Sequence, residues 1–133
     1  MGTLIDSSVL VAAERGLLDF ERVLRDSGDE AVALAAITAS ELLHGVHRLK
    51  SGVRQARAER FVEDVLSRLP IVPFDLPAAR AHARLGSELR AKGAQVGAHD
   101  LIIAATAVTI DFAVATRDLR SFPRIVGLTL HRW

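Results

Sequence analysis

Short apolar runs alternate with longer stretches of helical spacing along this chain. Thr3–Ile5 reads as an apolar strand that stops at Asp6, followed by a helix from Ser7 to about Arg15 with Val9, Leu10, Ala12 and Ala13 apolar. Gly16 breaks that helix, and Leu17–Arg25 has the spacing of a second. Ala31–Ile37 is a continuous apolar run, the pattern of a strand buried on both faces in a parallel sheet. Helices are predicted over Ala39–Lys50 and Val53–Arg68, separated by Ser51-Gly52. Pro70–Phe74 is a short strand, and a helix follows with Pro77 in its first turn and runs to Lys92. After a turn over Gly93–Gly97 come an apolar helix, Asp100–Val108, and short strands at Phe112–Ala115 and Thr129–His131. This alternation predicts one α/β domain over residues 1–133, with a mainly parallel sheet of four to five strands covered on both sides.

Composition narrows the class. The length of 133 residues suits one domain, and 50% hydrophobic content is enough to bury a full core. With no cysteine, a disulfide scaffold, a thiolate metal site and a cysteine nucleophile are all excluded. No apolar run reaches the roughly 18 residues of a membrane span. The N-terminal segment MGTLIDSSVL lacks the basic start of a signal peptide, so a cytoplasmic protein without membrane association is expected. The net charge of +1 argues against a non-specific polyanion coat but leaves room for a local basic face. Arg48, Lys50, Arg54, Arg57 and Arg60 form one candidate rim, and Arg80, Arg84, Arg90 and Lys92 another; interleaved Glu59, Glu63, Asp64 and Glu88 fit an ordinary solvated surface equally well.

Ligands of parallel sheets bind at the carboxyl ends of the strands. Four acids fall where those ends belong: Asp6 closes the first strand, Glu41 lies on the helix after the second, Asp100 starts the apolar helix, and Asp118 follows the fourth strand. Each has a local alternative. Asp6 and Asp100 suit helix N-termini, Thr38 with Glu41 matches a capping box, and Asp118 suits a turn. If the four converge, a pair about 5 Å apart repels by roughly 3 kcal/mol at an effective dielectric near 20. A hard cation such as Mg²⁺ or Mn²⁺, which takes oxygen ligands, is the natural counter-charge and points to phosphoryl chemistry. Other phosphate chemistries lack their motifs. There is no Walker or dinucleotide glycine loop, and Ser8 stands where a D-x-D phosphatase needs acid. Glu41, His44 and His47 share a helix, but a di-iron site needs that motif twice in a bundle of long helices.

The segments LIDSSVLVA, TASELLHGV, GAHDLIIAATA and VATRDLRSF, in this order along nearly the whole chain, resemble the PIN-domain ribonucleases, and among those the VapC toxins of toxin–antitoxin pairs. The resemblance implies a three-layer α/β/α fold and an endoribonuclease dependent on Mg²⁺ or Mn²⁺, acting through water activated by the metal. Asp6 and Asp100 would be the principal metal ligands, and Glu41 and Asp118 would support them. Ser8 and Thr116 match positions whose hydroxyls support the acids, though local capping or turn bonding would also explain them. It further implies an RNA substrate, a homodimer and a VapB-like antitoxin partner. A housekeeping nuclease of the same fold, another Mg²⁺-dependent phosphohydrolase and a catalytically silent interaction module remain the alternatives.

Overall fold

The computed structural model describes residues 1–133. Its elements run β1 (Gly2–Ile5), α1 (Ser7–Glu14), α2 (Phe20–Asp26), β2 (Val32–Ala35), α3 (Ala36–Arg48), α4 (Val53–Arg68), β3 (Ile71–Val72), α5 (Leu76–Ala91), α6 (Ala98–Thr109), β4 (Phe112–Thr116) and β5 (Leu130–Arg132), with a 3₁₀ turn at Phe122–Arg124. The five strands form one sheet in the order β3-β2-β1-β4-β5, and every neighbouring pair is parallel.

Alternation along the strands divides the core in two. Leu4, Ala33, Ala35 and Val114 face α5 and α6, where Leu85, Leu89, Ile103 and Ala104 cover them. Ile5 and Leu34 face the other way, toward α1, α3 and α4, against Val9, Leu10, Leu42, Val46, Val62 and Val65. The result is a three-layer α/β/α arrangement. Burying a Leu, Ile or Val side chain is worth roughly 1.5–3 kcal/mol, so both covers contribute to holding the sheet.

Two expected helix starts move by three residues, and the other bounds shift by two or fewer. Leu17 and Leu18 lie outside any helix: Gly16 adopts φ 77°, and α2 begins at Phe20, three residues later than expected, behind Asp19, whose side chain caps it by accepting from the Arg22 amide. The run Ala31–Ile37 is split: the strand ends at Ala35 and α3 begins at Ala36. That earlier start carries Thr38 into the helix interior. Other ends follow their local chemistry. Asp75 caps α5 by accepting from the Ala78 amide at 3.1 Å, and Gln55 donates to the Val46 and Leu49 carbonyls at the end of α3, each at 3.1 Å.

Strand order reverses beside β1, although all five strands run the same way. From β1 the chain steps to β2 and β3 on one side, then returns to lay β4 and β5 on the other. The loops leaving the carboxyl ends of β1 and β4 therefore diverge to opposite faces and leave a crevice between them.

Candidate metal and phosphate site

Ile5 and Ala115 are register partners in the β1–β4 ladder, so the residues that follow them, Asp6 and Thr116, emerge side by side at the crevice. The Asp6 amide donates to the Ala115 carbonyl at 2.8 Å. The Asp6 carboxylate is buried, and its Oδ2 accepts from the Ser8 hydroxyl at 2.7 Å and from the Thr116 hydroxyl at 2.9 Å. Ser8 and Thr116 lie 3.3 Å apart. The Ser8 oxygen also accepts from the Arg117 amide, and the Thr116 oxygen from the Asp118 amide. Asp6 occupies the N-cap position of α1 without making a side-chain cap. Its carboxylate is held instead by two hydroxyls, one of them 110 residues away along the chain.

Glu41 reaches the same region from the second turn of α3. The capping box with Thr38 does not form, because α3 begins at Ala36 and the residue before it is Ala35. The Ser7 hydroxyl approaches Glu41 Oε2 at 3.4 Å, and His99 Nδ1 lies 3.6 Å from that oxygen. Oε1 is buried with no hydrogen-bond partner. Burial pushes the Glu41 carboxyl above its ordinary value; His99 opposes this, while Asp6 and Asp100 add to it.

Asp100 stands in the first turn of α6, behind Gly97 at the N-cap position. Burial raises its carboxyl as well, the Ser121 hydroxyl draws it down, and the charges of Asp6 and Asp118 push it up further. Gly97 is a close neighbour: a Cβ there would lie 3.2 Å from Asp100 Oδ2. Asp118 is coupled to Asp100 in this way but is itself held by Arg120. Oδ1 accepts from the Arg120 amide and Nε at 3.1 and 2.9 Å, and Oδ2 accepts from Nη2 at 2.7 Å. This pairing keeps the Asp118 carboxyl below its ordinary range. The expected turn role of Asp118 is therefore present, with an ion pair added to it.

Asp6, Glu41 and Asp100 thus share one electrostatic neighbourhood, and Asp118 joins it through Asp100. They flank the crevice without closing into a cage: no three Asp, Glu or His side chains surround a single point. Their chemistry nevertheless suits a hard divalent cation. The donors are all carboxylate oxygens, two of the carboxyls are held in unfavourably charged company, and one buried oxygen has nothing to bind.

Ser121 and Arg120 were not among the residues the sequence marks for the site. His99, beside Asp100 in the sequence, fits either an approach to substrate or a plain loop position; it is the second residue of α6 and faces Glu41. Ser121 meets the Gly97 amide from 24 residues away, a contact with no short-range signature. Of the acid-helix histidines, His44 and His47 are exposed. His44 borders a groove of about 680 Å³ between α1, α3 and α4, which opens beside Glu41 and His99 and has Leu10, Leu42, Val46 and Phe61 in its walls.

Comparison with known proteins places these features in company. The PIN domain family model matches residues 3–128. A ribonuclease VapC1 of Rickettsia felis is 33% identical over 128 residues, covering 96% of this chain and 93% of that protein. A tRNA(fMet)-specific endonuclease VapC of Salmonella typhimurium is 32% identical over 102 residues, covering 77% of this chain and 75% of its own. Among solved structures, VapBC2 of Rickettsia felis bound to a DNA fragment from its promoter superposes with a TM-score of 0.90 at 26% identity, over 100% of this chain and 99% of that one.

Proposed function

This chain belongs to the PIN-domain family and, within it, to the VapC ribonucleases, and we propose that it is a Mg²⁺- or Mn²⁺-dependent endoribonuclease acting as the toxin of a toxin–antitoxin pair. The observation that carries this reading is the meeting of Asp6, Glu41 and Asp100 at the reversal of strand order, with Glu41 Oε1 buried and unpaired. Residues that served only as caps would spend their carboxylates on backbone amides at their own helix ends, which none of the three does.

Asp6 and Asp100 would be the principal ligands of the cation, with Glu41 and Asp118 supporting. When bound, such a cation activates water as the attacking group and offsets charge on the phosphate oxygens. Ser8 and Thr116 both bond Asp6 Oδ2, which would leave its other oxygen available to the cation. Ser121 steadies Asp100, and His99 sits over the outer oxygen of Glu41. These contacts hold the acids in place before substrate arrives, so less reorganisation accompanies the in-line displacement of the 3′ oxygen.

The groove beside Glu41 suits a segment of a VapB-like antitoxin, since it is apolar within and its lip carries Arg15, Arg48 and Arg54 alongside Glu14. Relatives of this fold are known as VapBC pairs. A homodimer and a cytoplasmic location complete the reading; no helix is long and apolar enough to cross a membrane.

The test is purified protein on total RNA with Mn²⁺ or Mg²⁺, against chelator, with the new 5′ ends mapped. Cleavage that needs the metal and disappears in Asp100→Asn supports the proposal. Cleavage undiminished by chelator, or by Asp100→Asn, refutes it. Expressed without a partner, the wild type should arrest growth and the Asp100→Asn variant should not.

A further inference from the structure

Arg120 is a cation built onto the rim of an acidic site. Its guanidinium and its own amide give the Asp118 carboxylate three donors from a single residue two positions away. The guanidinium also lies within the field of Asp100. Yet the side chain is 88% exposed, against 33% for Asp118, and nothing but Asp118 is bonded to the guanidinium. Of its five N–H groups, the pair with Asp118 engages one on Nε and one on Nη2. Three remain directed at solvent beside the crevice.

Two features of this pair argue against a purely structural purpose. An exposed ion pair within one turn adds little stability, because solvent screens it. The loop is also held without the guanidinium, by the Asp118 amide on Thr116 and the Arg120 amide on Asp118. The site, meanwhile, has a problem that a rim cation would ease: a polyanion must approach three or four carboxylates. The planar guanidinium fork binds phosphate in the same bidentate manner as carboxylate. Exchanging one for the other would cost little and would leave Asp118 free to turn toward the acids.

We propose that Arg120 is a substrate-binding residue: in the free protein its guanidinium occupies Asp118, and in the complex it takes a backbone phosphate of the RNA, releasing the Asp118 carboxylate toward Asp100. This rests on the ribonuclease reading above.

The experiment measures binding of a fluorescein-labelled single-stranded RNA of mixed sequence by anisotropy, in EDTA so that nothing is cleaved, across a salt series. The full chain is used as wild type, Arg120→Ala, Arg120→Lys, Asp118→Asn and the double variant Asp118→Asn/Arg120→Ala. Melting temperatures establish that each is folded. Arg120→Ala should weaken binding about 10-fold and flatten the dependence of log K on log salt by about 0.7, the loss of one phosphate contact on a single strand. Arg120→Lys should keep the slope while losing part of the affinity, because the charge stays and the fork is gone.

Asp118→Asn should act in the opposite sense, tightening binding several-fold because Arg120 no longer has to be exchanged. In the Arg120→Ala background the same change should gain less than about twofold, which a double-mutant cycle reads as coupling. If Arg120→Ala leaves affinity and slope unchanged, the proposal is wrong. If Asp118→Asn gains equally in both backgrounds, Asp118 repels RNA on its own and the exchange is refuted. A wild type that neither binds RNA here nor cleaves it with Mn²⁺ overturns the ribonuclease reading as well. A wild type that does both, with Arg120→Ala unaltered, overturns only this inference.

Discussion

Replacing Asp100 by Asn should stabilise the metal-free protein, the opposite of what removal of a useful structural group would do. Asp100 is pushed above its ordinary value by burial and by the charges of Asp6 and Asp118. The charge of Asp118 is largely matched by Arg120, so the uncompensated repulsion comes mainly from Asp6. At a half-exposed position, two like charges at an illustrative separation of about 6 Å in a dielectric of about 50 repel by on the order of 1 kcal/mol. Unfolding entropy of about 2.1 cal/mol/K per residue over this chain of 133 residues converts that to a rise of about 4 °C in Tm. Asn keeps an oxygen for Ser121, so little is lost in exchange.

The sign with pH follows from linkage. A carboxyl whose folded value is raised binds its proton more tightly in the folded state than in the unfolded one. Its charge therefore penalises the folded state at neutral pH, and the penalty fades as pH falls through the folded value toward the unfolded 3.8. The advantage of Asp100→Asn should be full at pH 7 and absent below about pH 4. Divalent metal should reverse the ranking. A wild type saturated at 100 times the dissociation constant gains about 2.7 kcal/mol, near 10 °C, and the variant should gain far less. Thermal melts by circular dichroism from pH 4 to 8, in EDTA and in Mn²⁺, measure all of this. A variant that melts at or below the wild type in EDTA at pH 7, or that responds equally to Mn²⁺, would refute the electrostatic reasoning.

Thr116→Val keeps the shape but removes the hydroxyl that donates to Asp6 and accepts from the Asp118 amide; Tm should fall by the equivalent of about 1–3 kcal/mol, and Thr116→Ser should restore most of it. Gly97→Ala brings a Cβ to 3.2 Å from Asp100 Oδ2 at a backbone φ of −55° that alanine accepts; calorimetric titration should show weaker Mn²⁺ binding with little change in Tm, and unchanged affinity would mean that Asp100 is not a ligand. Gly2→Ala would drive a Cβ into the Phe112 ring between β1 and β4; overpacking there should cost about 1–3 kcal/mol in a denaturant melt, and a wild-type midpoint would show that the ring moves aside freely.

Much of the architecture was legible because it rests on local patterns. The abrupt acid after Thr3–Ile5, the apolar run of α6 and Pro77 in a first turn marked β1, α6 and α5, and an alternation of strands and helices implied a parallel sheet. The errors arose where one pattern serves two structures. Ala31–Ile37 is uniformly apolar, and whether Ala36 and Ile37 extend the strand or open the helix depends on β3 pairing with Leu34 and Ala35, register that no local window contains. Thr38 and Glu41 imitate a capping box for the same reason: the motif is sound only if the helix starts at Ala39, and it starts three residues earlier.

The acids proposed as ligands were legible in the sequence for a further reason, and Arg120 and Ser121 were not. A carboxylate that borders an apolar run, at the end of a strand or in the first turn of an apolar helix, is conspicuous, so Asp6 and Asp100 announce themselves. A serine in a polar loop or an arginine in ATRDLRSF interrupts nothing. Its meaning depends on β4 lying beside β1 and on the loop after β4 folding back to Gly97, 24 residues away. Ser8 and Thr116 lie between these cases: the sequence places them near the acids but cannot choose between a local turn bond and a shared carboxylate. The structure assigns both to Asp6 Oδ2, at the junction of two strands separated by most of the chain. The groups proposed to bind a cation are thus marked by local sequence, and those that hold or balance them become visible only once the sheet is assembled. Substitutions at Arg120 and Ser121 should therefore alter function with little trace in any local pattern, while substitutions at Asp6 should disturb the junction of β1 and β4 as well as the chemistry.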